Sequence, residues 1–212
     1  MFYDEKAIYV VDDFLTNHQQ EFLEDLILDR KKDNHIGSTI PFYFNSNTNG
    51  KNQKNNPNII VNKNTFDHYQ FTHRLIEENK FISEYGQLIL ELFLKSFNEF
   101  FGCDDYDIFR CKINLSTPNS KFRKIVSPHI DSFQKMWSAV YYVNTVPNSY
   151  TLIGKDLYDG SIRNKFRLAR KVETKKGRMV LFDSRRYHSA GKCPINQVRS
   201  VINFNIGKYE DL

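Results

Sequence analysis

A mostly β chain with supporting α-helices, arranged as a helix-backed β-sandwich or jelly roll, is predicted by three observations. Patterns with helical spacing are confined to residues 1–101, whereas short segments rich in aromatic and β-branched residues follow from Tyr106 onward. The 18 Phe and 12 Tyr among 212 residues suit strands and a lined pocket. No Gly-rich turn follows a strand and opens a helix, which argues against a dinucleotide-binding fold.

In chain order, Ile8 to Val11 reads as a first strand. Thr16 or Asn17 can cap a helix whose stripe is Phe22, Leu23, Leu26 and Ile27, and Lys31 to Asp33 mark its end. Asn45 to Asn58 holds seven asparagines with Gly50 and Pro57, too little apolar content to offset the entropy of ordering it. It is expected to be an exposed loop, serving either as a cover over a site or as a neutral insertion. Helical spacing returns at Phe71 to Glu78 and at Ile82 to Phe101, where Gly102 is placed to end the helix. The strand candidates are Tyr106 to Leu115, Met136 to Asn144, Phe166 to Glu173, Met179 to Phe182 and Arg199 to Ile206. Turn signals at Pro118, Pro147, Asp159-Gly160 and Lys176-Gly177 divide them.

Length and composition predict one domain over 1–212, with the N-terminal strand and supporting helices at 1–101, the Asn-rich loop at 45–58 and the β core at about 104–207. With 40% hydrophobic and 26% charged residues the chain is expected to be globular, and no apolar run approaches the roughly 20 residues that span a bilayer. Asp4 and Glu5 make the start unlike a secretory signal, so the mature chain is expected to begin near Met1. Cys103, Cys111 and Cys193 are odd in number and irregular in spacing, which predicts a reduced, cytoplasmic protein. The formal charge is +5, with ten Lys or Arg between Gly160 and Arg186. That run is either a solvated face or a means of steering an anionic substrate or nucleic acid.

The chemistry concentrates in four residues. His129 and Asp131 are separated by one position, so in extended chain both project to one side, and His188 follows the strand-like Val180-Leu181-Phe182. Two imidazoles and one carboxylate can occupy one face of a six-coordinate metal and leave the other positions open for a substrate and dioxygen, although zinc in the same site is an alternative. Arg199 has the fork geometry to anchor a carboxylate, and Asn203 shares its strand face. His18, His35, His68 and His73 lack such a context and are expected to be surface or helix residues.

The ordered succession Pro128-His129-Ile130-Asp131, Val140-Tyr141-Tyr142-Val143-Asn144, Gly177-Arg178-Met179-Val180-Leu181-Phe182, Tyr187-His188 and Arg199-Ser200 resembles the iron(II)/2-oxoglutarate-dependent oxygenases, particularly the prolyl-4-hydroxylase-like branch. The resemblance covers about Phe109 to Ile206 and, more loosely, Ile8 to Leu28. It implies a double-stranded β-helix core of the jelly-roll, cupin-like kind, Fe(II) bound by His129, Asp131 and His188, and Arg199 paired with the distal carboxylate of 2-oxoglutarate. Tyr142 matches a position whose hydroxyl can touch that carboxylate, or else it is a packed tyrosine with a local partner. Asn114 matches a co-substrate contact in some relatives, with an ordinary strand-end asparagine as the alternative; Ser116 stands where those relatives have a tyrosine. Tyr150 stands where glycines are common and could alter the substrate entrance.

The implied reaction consumes dioxygen and 2-oxoglutarate, releases succinate and carbon dioxide, and hydroxylates a substrate. A protein or peptide side chain, prolyl among them, is the leading substrate class, followed by a small anionic metabolite, a nucleic acid, and a non-catalytic metal-binding interaction module. Trp137 belongs to either the core or the cavity, and Lys121, Arg123, Lys124, Arg185 and Arg186 could form a basic rim.

Overall fold

The computed structural model describes residues 3–29, 39–46, 56–62, 64–66, 69–118, 125–191, 193–195 and 197–208. In chain order the elements are β1 (Ile8–Val11), α1 (Asn17–Leu28), β2 (Tyr43–Asn45), β3 (Thr65–Phe66), β4 (Gln70–Glu77), β5 (Lys80–Phe81), α2 (Tyr85–Phe101), β6 (Asp107–Ser116), β7 (Ile125–Val126), β8 (Trp137–Tyr142), β9 (Tyr150–Leu157), β10 (Leu168–Glu173), β11 (Met179–Asp183), β12 (Arg186–Ala190) and β13 (Arg199–Gly207). The large sheet runs β1-β11-β8-β13-β6-β4-β2, with β5 paired to β4; a smaller sheet runs β10-β9-β12, and β3 pairs β7. β6 pairs β13, β8 pairs β11 and β9 pairs β10, all antiparallel, and β7 lies beside β12, where Ser189 Oγ donates to the Val126 carbonyl. Within the eight strands β6 to β13 the first thus pairs with the last and each successive pair nests within it, the connectivity of a jelly roll.

Period-two alternation assigns the two faces of the large sheet. Tyr141, Ile202, Phe204 and Ile206 lie in the cluster beneath the helices, while Val140, Tyr142, Val180, Phe182 and Val201 lie in the cluster between the sheets. Both helices cover the first of these faces. α1 starts at a capping box in which Thr16 and Gln19 satisfy each other's backbone, and it buries Leu23 and Ile27, leaving Phe22 exposed. α2 ends at Gly102, whose φ of 69° gives the left-handed cap, and it buries Ile89, Phe93, Phe97 and Phe101. Phe93 meets Tyr141 and Phe204 at ring separations of 4.9 Å each, so it couples the helix to two central strands. Phe93→Ala is expected to cost about 3–5 kcal/mol in denaturant unfolding. A loss under about 1 kcal/mol would show that the helix does not brace the sheet.

Trp137 is on the helix side, with its ring 5.0 Å from Tyr3 and 5.7 Å from Tyr9, which places it in the core. The helix expected at Phe71 to Glu78 is instead strand β4, paired with β6 from Phe71↔Leu115 to Glu77↔Arg110. Phe71 and Leu75 have helical spacing, but the open edge of β6 requires backbone partners, and that tertiary demand overrides the local pattern. The overlooked signal was Glu78-Asn79: both take positive φ and turn β4 back into β5. Residues 80–84 consequently precede α2, which begins at Tyr85 and not at Ile82. The short strands β2, β3, β5 and β7 had no candidate in the sequence, nor did β9 or β12, which carries His188. The middle of the Asn-rich segment, 47–55, lies outside the described residues, as do Lys121, Arg123, Lys124, His35 and His68. Among the described residues no helix is long and apolar enough to cross a membrane, and the three cysteines are free.

Candidate metal centre

His129 and His188 are joined by their backbones before their side chains meet. His129 N–H donates to the His188 carbonyl at 2.9 Å and His188 N–H returns a bond to the His129 carbonyl at 2.8 Å, a single antiparallel bridge between the segment after β7 and β12. Asp131 N–H donates to the Ser184 carbonyl at 2.9 Å, tying the carboxylate's segment to the β11–β12 turn. On the other side, Ile59 bridges His129, Ile130 N–H donates to the Asn58 carbonyl, and Tyr187 OH donates to the Pro57 carbonyl, so the end of the Asn-rich segment is clamped beside the site.

The potential ligand atoms of His129, Asp131 and His188 all lie within 4.8 Å of one another, a spacing that admits one ion between them. His188 Nδ1 lies 3.1 Å from the Arg186 carbonyl and His129 Nδ1 lies 3.4 Å from the Ser127 carbonyl. A carbonyl only accepts, so each Nδ1 carries the proton and each Nε2 presents its lone pair, the usual support for a metal-binding imidazole. Burial, reinforced by His188, lowers the His129 pKa to about 3, which keeps the ring neutral near pH 7.

Asp131 is held from both sides. Arg110 Nη2 donates to Oδ1 at 2.7 Å and Ser138 Oγ donates to Oδ2 at 2.7 Å; Asn205 Nδ2 in turn donates to Ser138 Oγ at 3.2 Å. Burial pushes the Asp131 carboxyl up, but the surrounding positive charge, Arg110 included, outweighs it and holds the group well below the usual carboxylate range. Arg110, Ser138 and Asn205 were not singled out in the sequence. Their signal was available in the alternation of β6, β8 and β13, because Arg110, Ser138 and Asn205 occupy one rung across the sheet.

A cavity opens from His129 and His188 and is walled by Val126, Val140 and Val201, with Arg199 among its lining residues. Arg199 is 3% exposed; its Nε donates to Thr174 Oγ1 at 3.1 Å and its Nη2 to Thr151 Oγ1 at 2.9 Å. No carboxylate pairs with it among the described residues, and burial lowers its pKa from the guanidinium norm, a cost that a bound anion would remove. Tyr142 faces this end: its OH donates to Thr151 Oγ1 at 2.7 Å, and the Arg199 guanidinium carbon lies 5.4 Å from its ring centre. Asn114 and Asn203 also line the cavity, and the Oδ1 of each is buried with no hydrogen-bond partner. A buried cation without a counter-charge and two unpartnered amide oxygens thus share one cavity.

Several sequence readings are corrected here. Thr151 takes the inward position in the cavity wall, and Tyr150 lies under Lys171, whose Nζ is 3.7 Å from the ring centre. Arg185 and Arg186 do not form a rim: Arg185 pairs with Asp183 at 2.7 Å, and Arg186 is buried, donating to the carbonyls of Gly154 and Lys155. His73 is a buried strand residue, bonded to the Pro41 carbonyl at 2.6 Å and to Ser83 Oγ at 2.7 Å, while His18 is exposed on α1 as expected.

No protein-family model and no curated protein matches the sequence. Solved structures do match. They include an oxidoreductase of the 2OG-Fe(II) oxygenase family from Burkholderia pseudomallei, at 12% identity and a TM-score of 0.63 over 94% of this chain and 84% of that one. A prolyl hydroxylase from Trichoplax adhaerens, in complex with a hypoxia inducible factor oxygen degradation domain peptide fragment, matches at 14% identity and a TM-score of 0.56 over 97% and 86%. The epimerase SnoN, in complex with Fe3+, alpha ketoglutarate and nogalamycin RO, matches at 12% identity and a TM-score of 0.59 over 97% and 80%. This chain therefore has the fold of the 2OG-Fe(II) oxygenases, and its His-Asp-His group lies within that fold. The likeness in sequence is confined to 11–16% among these and other structures of the kind.

Proposed function

We propose that this chain is an Fe(II)- and 2-oxoglutarate-dependent dioxygenase that hydroxylates a protein or peptide side chain, prolyl among the candidates. The observation that carries the reading is the pairing of an open three-ligand group with an unneutralised, buried Arg199 in one cavity. The donor set fits the ion: two imidazoles and one carboxylate suit ferrous iron and leave coordination positions free. Zinc would share the ligands but would give Arg199, Asn114 and Asn203 no task.

In this reading His129, Asp131 and His188 hold the metal, while Arg110 and Ser138 fix the carboxylate's orientation. Arg199 takes the distal carboxylate of 2-oxoglutarate, Thr151 and Thr174 aim its guanidinium, and Tyr142 supports Thr151. Asn114 and Asn203 supply polar contacts along the cavity wall, and Val126, Val140 and Val201 exclude water. When bound, the ferrous ion and 2-oxoglutarate supply the oxidation, with dioxygen consumed and succinate and carbon dioxide released. The chain's own contribution is orientation.

A small anionic metabolite is the second substrate reading, favoured by a cationic side chain, Lys112, in the cavity. Nucleic acid is disfavoured, because the basic run is largely engaged within the protein: Arg163 and Arg167 meet Asp156, Lys175 and Arg178 meet Asp12, and Lys176 meets Glu24. Fe(II)-dependent succinate release, followed across peptides and free metabolites, tests the reading. Release is expected only when Fe(II) and 2-oxoglutarate are both present. Metal binding without any 2-oxoglutarate binding would instead define a non-catalytic interaction module.

A further inference from the structure

Lys112 takes no part in holding the metal or 2-oxoglutarate in the reading above. It sits on β6 two residues after Arg110 and two before Asn114, on the face turned to the cavity. Its ammonium has no ion pair or hydrogen bond among the described residues, although it is partly buried. The surrounding charges are already committed: Arg110 to Asp131 at 2.7 Å, and Arg74 to Glu77 at 3.8 Å. Arg74 stands directly opposite Lys112 across the β4–β6 pair, a like-charge juxtaposition that weakens a sheet unless an anion offsets it. On the other side, Asn203 is opposite Lys112 across β6–β13; it is 6% exposed, and its Oδ1 has no partner.

The co-substrate does not account for this cation. Arg199 is opposite Ser116, four residues along β6 from Lys112, so the two rungs are about 13 Å apart at the usual strand rise. In the reading above, one carboxylate of 2-oxoglutarate goes to Arg199 and the other to the metal, and the diacid has no third. With a ferrous ion and a dicarboxylate in place their charges cancel, Arg110 cancels Asp131, and the cavity retains Arg199 and Lys112 as surplus positive charge.

We infer that Lys112 receives an anionic group, a carboxylate or a phosphate, carried by the primary substrate. The inference rests on the proposed oxygenase reading for the identity of the remaining ligands. Burial and Arg110 lower the Lys112 pKa to about 8, so the side chain is mostly charged at pH 7, and a bound anion would return it toward its ordinary value.

The test uses the full chain with Fe(II) and saturating 2-oxoglutarate, without oxygen, and inorganic phosphate as the calorimetric probe. Iron and 2-oxoglutarate uptake are measured first, so a failure of the oxygenase reading is seen by itself. The phosphate titration is repeated on metal-free protein, which keeps it informative in that event. Wild type is expected to bind phosphate saturably, Lys112→Met about tenfold or more weakly, and Lys112→Arg close to wild type. Equal phosphate affinity in wild type and Lys112→Met, or no saturable binding to wild type, overturns the inference. So does a loss of 2-oxoglutarate affinity in Lys112→Met as large as in Arg199→Met, which would assign the lysine to the co-substrate. A final arm compares acids with their matched neutral amides, both as free metabolites and within peptides, for stimulation of succinate release. The acids are expected to stimulate wild type and Lys112→Arg but not Lys112→Met, and the member that does so identifies the source of the anion; equal stimulation by acid and amide in wild type counts against the inference.

Discussion

His129→Ala and Asp131→Asn are expected to lose stoichiometric iron while retaining the fold, because each removes one of three ligands without touching the backbone bonds that build the site. Loss of one ligand in three leaves too few donors for tight binding near neutral pH. Asparagine is the better probe at position 131. Alanine there would leave Arg110, 26% exposed, facing an emptied pocket, and breaking a buried ion pair costs about 3–5 kcal/mol when both partners are enclosed. The exposure of Arg110 reduces that figure, but Asp131→Ala would still mix ligand loss with destabilisation. Metal analysis after dialysis, alongside circular dichroism, separates the two effects. Iron stoichiometry equal to wild type in both variants would remove the proposed ligand assignment.

Arg199→Met is expected to raise the 2-oxoglutarate requirement steeply with little change in iron content. Removing one partner of an enclosed, hydrogen-bonded charge pair costs about 2–5 kcal/mol, which corresponds to roughly 30-fold or more in apparent affinity. Methionine fills much of the space, and Thr151 keeps the Tyr142 hydroxyl as a donor, so the cavity wall should hold. In the unliganded protein the same change is expected to be neutral or mildly stabilising, since it relieves a buried cation that has no counter-charge. A binding titration that shows wild-type affinity for 2-oxoglutarate in Arg199→Met would sink this role.

The grouping of His129, Asp131 and His188 near Arg199 was legible because such residues are unusual at those spacings and because a strand alternates. Arg199, Val201 and Asn203 fall on one face whatever the rest of the chain does. Tyr141 and Tyr142 separate for the same reason, one under the helices and one toward the cavity. What was not legible depends on partners distant in sequence. β4 reads as a helix until β6 is known to need a neighbour, and Arg110 reads as a surface cation until Asp131 is placed beside it by a turn 21 residues later. The short strand β12 carries His188 within a polar stretch that offers no apolar run, so it reads as a turn. Thr151 and Thr174 are common strand residues, and only the register of β9 and β10 brings both to Arg199.

The mutual backbone bonds of His129 and His188 set how the ion is received. One backbone bridge holds the imidazoles at a ring separation of 4.6 Å, and Phe182 braces the second ring at 4.8 Å. Capture of the metal then demands little reordering of the chain, so most of the coordination energy goes into affinity and little into organising the polypeptide. Such a socket differs from a zinc finger, which folds around its ion: chelation should empty it and leave the two sheets standing.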